Sequence, residues 1–136
     1  MRVYDHTSHS YHYYDATNES GRRIGSAAVE HNDFMHCAYV EHCKTDKDHC
    51  AKIVFVQTNK SERLKGVATS LLNKITADYE GWDLFLNVRP LDTDQERFTT
   101  VQELTRFYEK FGFKRCEGAG SMPAMVKPAK IQQQTI

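Results

Sequence analysis

The hydrophobic pattern changes period once along this chain, and that change limits the fold more than any other feature. Ile53-Val54-Phe55-Val56 is a continuous apolar run of strand length, of the kind covered on both faces of a sheet. A polar loop follows. Then Val67, Leu71, Leu72, Ile75 and Tyr79 recur at helical spacing, which predicts a helix over 66–80 closed by Gly81.

Before the change the chain reads as strands. Ser10 to Tyr14 is aromatic and bounded by the turn cluster Asn18-Glu19-Ser20-Gly21. Ile24 to Val29 and Phe34 to Val40 follow, with Asn32-Asp33 between them. Breaks this short predict an antiparallel meander rather than helical crossovers. After the first helix, Leu84 to Val88 reads as a strand and Pro90 to Thr99 as a polar loop. Thr100 and Glu103 have the form of a capping box. Val101, Leu104, Phe107, Tyr108 and Phe111 then line one face of a second helix ended by Gly112. Short strands are predicted near 113–116 and 124–127. The expected fold class is mixed α+β: a mostly antiparallel sheet with two main helices, as one domain over 1–128, and a disordered tail over 129–136.

Composition narrows the function classes. Of 136 residues, 40% are hydrophobic and 26% charged, the balance of a globular domain rather than a disordered one. No apolar run approaches the roughly 20 residues of a membrane helix, and the N-terminus lacks the apolar core of a secretory signal. A cytoplasmic protein without membrane contact is expected. Eighteen basic residues balance eighteen acidic ones, which argues against nucleic acid as a partner held by net charge. All seven histidines fall between His6 and His49. The pairs His36-Cys37, His42-Cys43 and His49-Cys50 match no common zinc spacing, so no metal is expected. The four cysteines are expected as free thiols.

The chemistry-bearing stretch is the junction Val56-Gln57-Thr58-Asn59-Lys60-Ser61-Glu62-Arg63-Leu64-Lys65-Gly66-Val67-Ala68. The first turn of a helix presents unpaired N–H groups and about half a positive charge. Small residues such as Gly66 and Ala68 allow an anion close to that backbone, and Arg63 and Lys65 add charge suited to a diphosphate. Three or four hydrogen bonds to a charged group, at roughly 1.5–3 kcal/mol each, reach about the 8 kcal/mol of a micromolar ligand.

Arg63-x-x-Gly66-x-Ala68 after an apolar strand resembles the acyl-CoA pyrophosphate loop of the GNAT superfamily of N-acetyltransferases, Gln/Arg-x-x-Gly-x-Gly/Ala. Phe107-Tyr108-Glu109-Lys110-Phe111-Gly112-Phe113 resembles that family's second signature, and one helix and one strand separate the two, as in the family. Met125-Val126-Lys127-Pro128 is similar to the last strand of many members. The resemblance covers about residues 51–128. It implies acetyl-CoA lying across two splayed strands, 53–57 and 84–88. The pantetheine would pair with Phe55, Val56 and Gln57. The pyrophosphate would sit on the turn formed by Arg63, Leu64, Lys65, Gly66, Val67, Ala68 and Thr69. It also implies Tyr108 as the acid facing the departing thiolate, and a backbone N–H near Val56 as the oxyanion donor.

Moving an acetyl group to an amine needs that amine neutral, which for a lysine of pKa about 10.4 costs roughly 4.6 kcal/mol at pH 7. Strand 53–57 carries no carboxylate. Asp33, His36, Glu41 and His42 are alternatives for a base acting through water. Val101 and Leu104 stand where many members have asparagine and alanine. No helical period is visible before residue 50, where the family places two helices after its first strand. The acceptor side is therefore expected to be open, suited to a protein amine or another large acceptor, although a small molecule is not excluded. A homodimer is compatible with these features. The alternative is an inactive coenzyme A-binding module acting through protein partners.

Overall fold

The computed structural model describes residues 1–30, 50–62, 66–88, 101–115 and 124–129. In chain order the elements are β1 (Arg2–Ser8), β2 (Tyr11–Thr17), β3 (Arg23–Glu30), β4 (Cys50–Thr58), a 3-10 turn (Lys60–Glu62), α1 (Val67–Asp78), β5 (Asp83–Asn87), α2 (Val101–Glu109), β6 (Lys114–Arg115) and β7 (Ala124–Lys127). The strands form one seven-stranded sheet in the order β1-β2-β3-β4-β5-β7-β6. Every pairing is antiparallel except β4 with β5. Among the described residues, the mixed, mostly antiparallel sheet with two α-helices is the architecture expected from the sequence.

β1 was not expected. It pairs with β2 along its whole length, from Arg2 opposite Thr17 to Ser8 opposite Tyr11. Only Val3 of its seven residues is half-buried, so it carries no alternating apolar signal. Two residues, His9 and Ser10, join β1 to β2, with His9 at φ 56. The turn cluster at Asn18 behaves as read: its Oδ1 accepts hydrogen bonds from Ser20 N, Ser20 Oγ and Arg22 N at 3.0, 2.8 and 3.0 Å. The strand expected at 34–40, residues 31–49 as a whole, the loop 90–99, Thr100 of the capping box and the tail beyond 129 lie outside the described residues.

α1 lies against β1–β4. Val67, Leu71, Leu72, Ile75 and Tyr79, the positions picked by their spacing, are all buried, against Tyr14, Ala27, Val29, Ala51, Ile53 and Leu86 among others. The helix ends at Asp78, where the Tyr79 N–H bonds Ile75 O at 3.0 Å. Gly81 follows in a turn without positive φ, so it does not act as the expected cap. In α2 the apolar face is narrower than expected. Val101 is 37% exposed, while Thr105 is buried and donates to Val101 O at 2.8 Å. Gly112 does close α2. At φ 97 it lets Phe113 N reach Tyr108 O and Gly112 N reach Glu109 O, a Schellman pair.

Candidate active site

The parallel pairing in mid-sheet is short. Cys50 to Ile53 of β4 face Asp83 to Leu86 of β5, and β4 then runs on to Thr58 with no β5 partner. β5 is held on its other side by β7. The two middle strands therefore part at Ile53 and Leu86. On the β3 side the register shifts, so that Ile53 faces Val29 and Phe55 faces Ala28. Val54 is the extra residue of this bulge and is 44% exposed. Phe55, Val56 and Gln57 follow along the opened edge. Val56 packs against the core and Gln57 is exposed. Among the described residues no strand pairs with their edge toward β5, a geometry to which an extended ligand could add like a strand.

Asn59 ties down the chain leaving β4. Its N–H bonds Ile24 O, its Nδ2 bonds Arg23 O, each at 2.9 Å, and its own carbonyl accepts from Glu62 N at 2.8 Å. The chain then enters α1 through Gly66, at φ 83 and ψ 11, with no side-chain cap and no acidic residue in the first turn. Gly66 O accepts from Ser70 N, the start of the helical ladder. Helical geometry leaves the amides of Val67, Ala68 and Thr69 without an intrahelical acceptor. The space beside the Gly66 Cα is open, so glycine is required there by the left-handed backbone rather than by crowding. Val67 turns inward, whereas Gly66 and Thr69 are exposed. Arg63, Leu64 and Lys65 lie outside the described residues.

Tyr108 stands on α2, half-buried against the same core as Val56. Its ring meets Phe107 and Phe113 edge-on, with centroids 5.5 and 5.9 Å away. Burial pushes its phenol up to about 12. The four alternatives for a base, Asp33, His36, Glu41 and His42, all lie outside the described residues.

Two features escaped the sequence reading. Asn59 carried no signal beyond loop polarity. The other is a polar clasp at the far end of α1. His12 Nε2 lies 2.7 Å from Asp5 Oδ2, and its Nδ1 lies 2.9 Å from Tyr79 Oη and 3.2 Å from Tyr14 Oη. Tyr14 donates to Asp78 Oδ2 at 2.9 Å, and Lys74 Nζ bonds Asp78 Oδ1 at 3.2 Å. Donor atoms of Asp5, His12 and Asp78 lie within 4.8 Å of one another, and Lys74 and the hydrogen bonds supply their partners.

A seven-stranded sheet that parts between two parallel strands, with an uncapped helix start beside the gap, is a fold shared with solved acetyltransferases, one of them, from Desulfovibrio desulfuricans, described as a putative acetyltransferase of the GNAT family (17% identity, TM-score 0.55). A structure described as histone acetyltransferase HPA2 and related acetyltransferase, from Corynebacterium glutamicum, matches 92% of this chain at TM-score 0.65 and 20% identity. The PaiA N-acetyltransferase of Thermoplasma acidophilum, in complex with coenzyme A, matches 87% at TM-score 0.57 and 16% identity. Nourseothricin acetyltransferase matches 88% at TM-score 0.58 and 16% identity. This chain spans 68%, 60% and 66% of those three proteins. No protein-family pattern and no curated protein matches it.

Proposed function

We propose that this chain is an acetyltransferase that moves an acetyl group from acetyl-CoA to a primary amine. The observation that carries the reading is the parting of β4 from β5 beside the uncapped turn at Gly66. One ligand with an amide-bearing arm and a diphosphate fits both. A neighbour of the same fold is a complex with coenzyme A, which supports that ligand here.

Acetyl-CoA supplies an acyl group activated as a thioester. The chain's own residues do the rest. The backbone of Phe55, Val56 and Gln57 pairs with the pantetheine arm. The amides of the turn from Leu64 to Thr69, with Arg63 and Lys65, hold the diphosphate. An N–H near Val56 faces the oxygen on which negative charge develops. Tyr108, protonated throughout the working pH range, donates a hydrogen bond to the departing sulfur. The two-residue β1–β2 connection leaves no helix pair between those strands, which supports a large acceptor such as a protein amine. A cytoplasmic setting goes with this reading. Among the described residues no helix is long and apolar enough to cross a membrane.

The test is titration calorimetry of the full chain with coenzyme A, followed by thiol release from acetyl-CoA with a panel of amines that includes lysine peptides, free peptide N-termini and small amines. Binding with amine-dependent release is expected. Binding without release from any amine would leave a coenzyme A-binding module acting through protein partners. No heat of binding would overturn the reading.

A further inference from the structure

We propose that Gly25 is a positioning residue for the acyl-donor site, an inference that rests on the function just proposed. Gly25 lies on β3 opposite Thr58, the last residue of β4, and is buried. A Cβ added there would come within 2.6 Å of Val67 Cγ1 and 2.9 Å of the Gln57 carbonyl oxygen, with Leu71 Cδ1 at 3.5 Å. The first two separations are shorter than side chains tolerate. Its φ is not positive, so what the position demands is room and not backbone freedom.

The two atoms it would strike belong to the two arms of the site. Val67 opens α1, whose first amides face the diphosphate, and Gln57 stands at the end of β4, its carbonyl turned to β3 and the strand's other edge facing the pantetheine. Val67 is 2% exposed in a core that, like protein interiors generally, is close-packed, and the Gln57 oxygen is backbone. A side chain at position 25 therefore lifts the first turn of α1, displaces the end of β4, or does both. The ligand spans both segments, so a change in their spacing spoils its fit even where each stays intact. Each hydrogen bond to the charged diphosphate lost in this way costs about tenfold or more in affinity. The missing side chain of Gly25 sets how deeply the anion-binding turn seats on the sheet.

The experiment measures coenzyme A affinity by calorimetry and melting temperature for the parent, Gly25→Ala, Gly25→Ala/Val67→Ala and Tyr14→Phe. The last is a comparator destabilised at the far end of α1. Gly25→Ala is expected to weaken coenzyme A by roughly tenfold or more, the loss of about one hydrogen bond to a charged group. The double variant, freed of the Val67 clash but not of the Gln57 contact, should recover part of that loss. Tyr14→Phe should bind like the parent although it melts earlier. Should Gly25→Ala alone fail to fold, the double variant decides, and it should bind more weakly than the parent. Parent-like affinity in every folded Gly25 variant would overturn the proposal. So would an equal loss in Tyr14→Phe, or a failure of both Gly25 variants to fold, which would reduce Gly25 to ordinary packing. A parent that does not bind coenzyme A would instead count against the proposed function itself.

Discussion

Tyr108 poses a question of proton affinity. A phenol at about 12 that gave its proton fully to a thiolate of pKa about 8.5 would work uphill by roughly 5 kcal/mol. Its contribution is therefore a hydrogen bond to the sulfur as charge builds. Hydrogen bonds to charged groups contribute roughly 1.5–3 kcal/mol. Tyr108→Phe should lower kcat by roughly 10–100-fold with coenzyme A affinity unchanged, short of the 10²–10⁴ of a full acid. Because burial raises the phenol, it stays protonated far above neutrality. Any alkaline fall in rate below pH 11 should therefore persist in the variant, whereas its disappearance would make Tyr108 the titrating group. Gly66 poses a question of backbone. With open space around it and φ at 83, Gly66→Ala meets no clash but costs about 1–2 kcal/mol in the left-handed region. Melting should show that loss, calorimetry should show weaker coenzyme A binding, and Gly66→Asn should be milder on both counts.

The elements differ in how openly the sequence announced them. α1 was legible because its buried stripe repeats at helical spacing, and β7 because a short apolar run precedes a proline. β1 was silent because an edge strand with both faces near solvent needs no pattern. In α2 the spacing alone could not tell that Val101 would be exposed and Thr105 buried with its hydroxyl bonded to the helix backbone. Of the candidate site, the motifs pointed to Gly66 and Tyr108, and the structure gives the first a left-handed, uncapped helix start and the second a half-buried place on α2. No motif pointed to Gly25, since its constraint is contact with Val67 on another element. The clasp was equally hidden, for it joins His12 to Tyr79, 67 residues apart. Tyr14 is fully buried and its pKa is driven up, first by burial and then by the hydrogen bond to Asp78. Tyr14→Phe removes that hydrogen bond, and water can replace it at the exposed Asp78 carboxylate, so the change should cost about 0.5–1.5 kcal/mol, read as a melting drop of roughly 2–6 °C. α1 has twelve residues, about 18 Å, between this clasp and Gly66, so coenzyme A affinity should hold. Asp5 is held below the usual carboxylate range, chiefly by its hydrogen bond from His12. A depressed carboxylate contributes stability above its unfolded pKa of about 3.9 and loses it as pH falls through the folded value. The melting gap between parent and Asp5→Asn should therefore be present near pH 6 and close below about pH 4. A gap that stayed constant with pH would show that Asp5 acts through shape alone.

Across the whole molecule the sheet is two blocks joined at a narrow seam. β1–β4 carry α1 on one side of the gap, and β5, β7 and β6 continue on the other, beyond the short run from Cys50 to Ile53 that faces Asp83 to Leu86. The core runs through this seam, since Ile53, Leu86, Met125 and Phe113 share one cluster with the residues of α1. The gap thus costs backbone pairing at its open end while packing holds the blocks together below it. A ligand that pairs with β4, lies on α1 and approaches Tyr108 touches both blocks, so its binding energy adds to the cohesion of the whole fold. Binding to the folded state alone stabilises by RT ln(1 + [L]/Kd), about 2.7 kcal/mol at a hundredfold excess over Kd. For a chain of 136 residues that should raise the melting temperature by roughly 5–10 °C. An amine acceptor added alone should leave it nearly unchanged. The diphosphate part of the effect should shrink in Gly66→Ala and weaken as salt rises, because part of the attraction is between charges. Melting curves of the full chain over a coenzyme A series check all three. A parent whose melting temperature stays flat across the series, at concentrations where calorimetry detects binding, would mean that the ligand binds the unfolded chain as well as the folded one, and so does not use the site built by the fold.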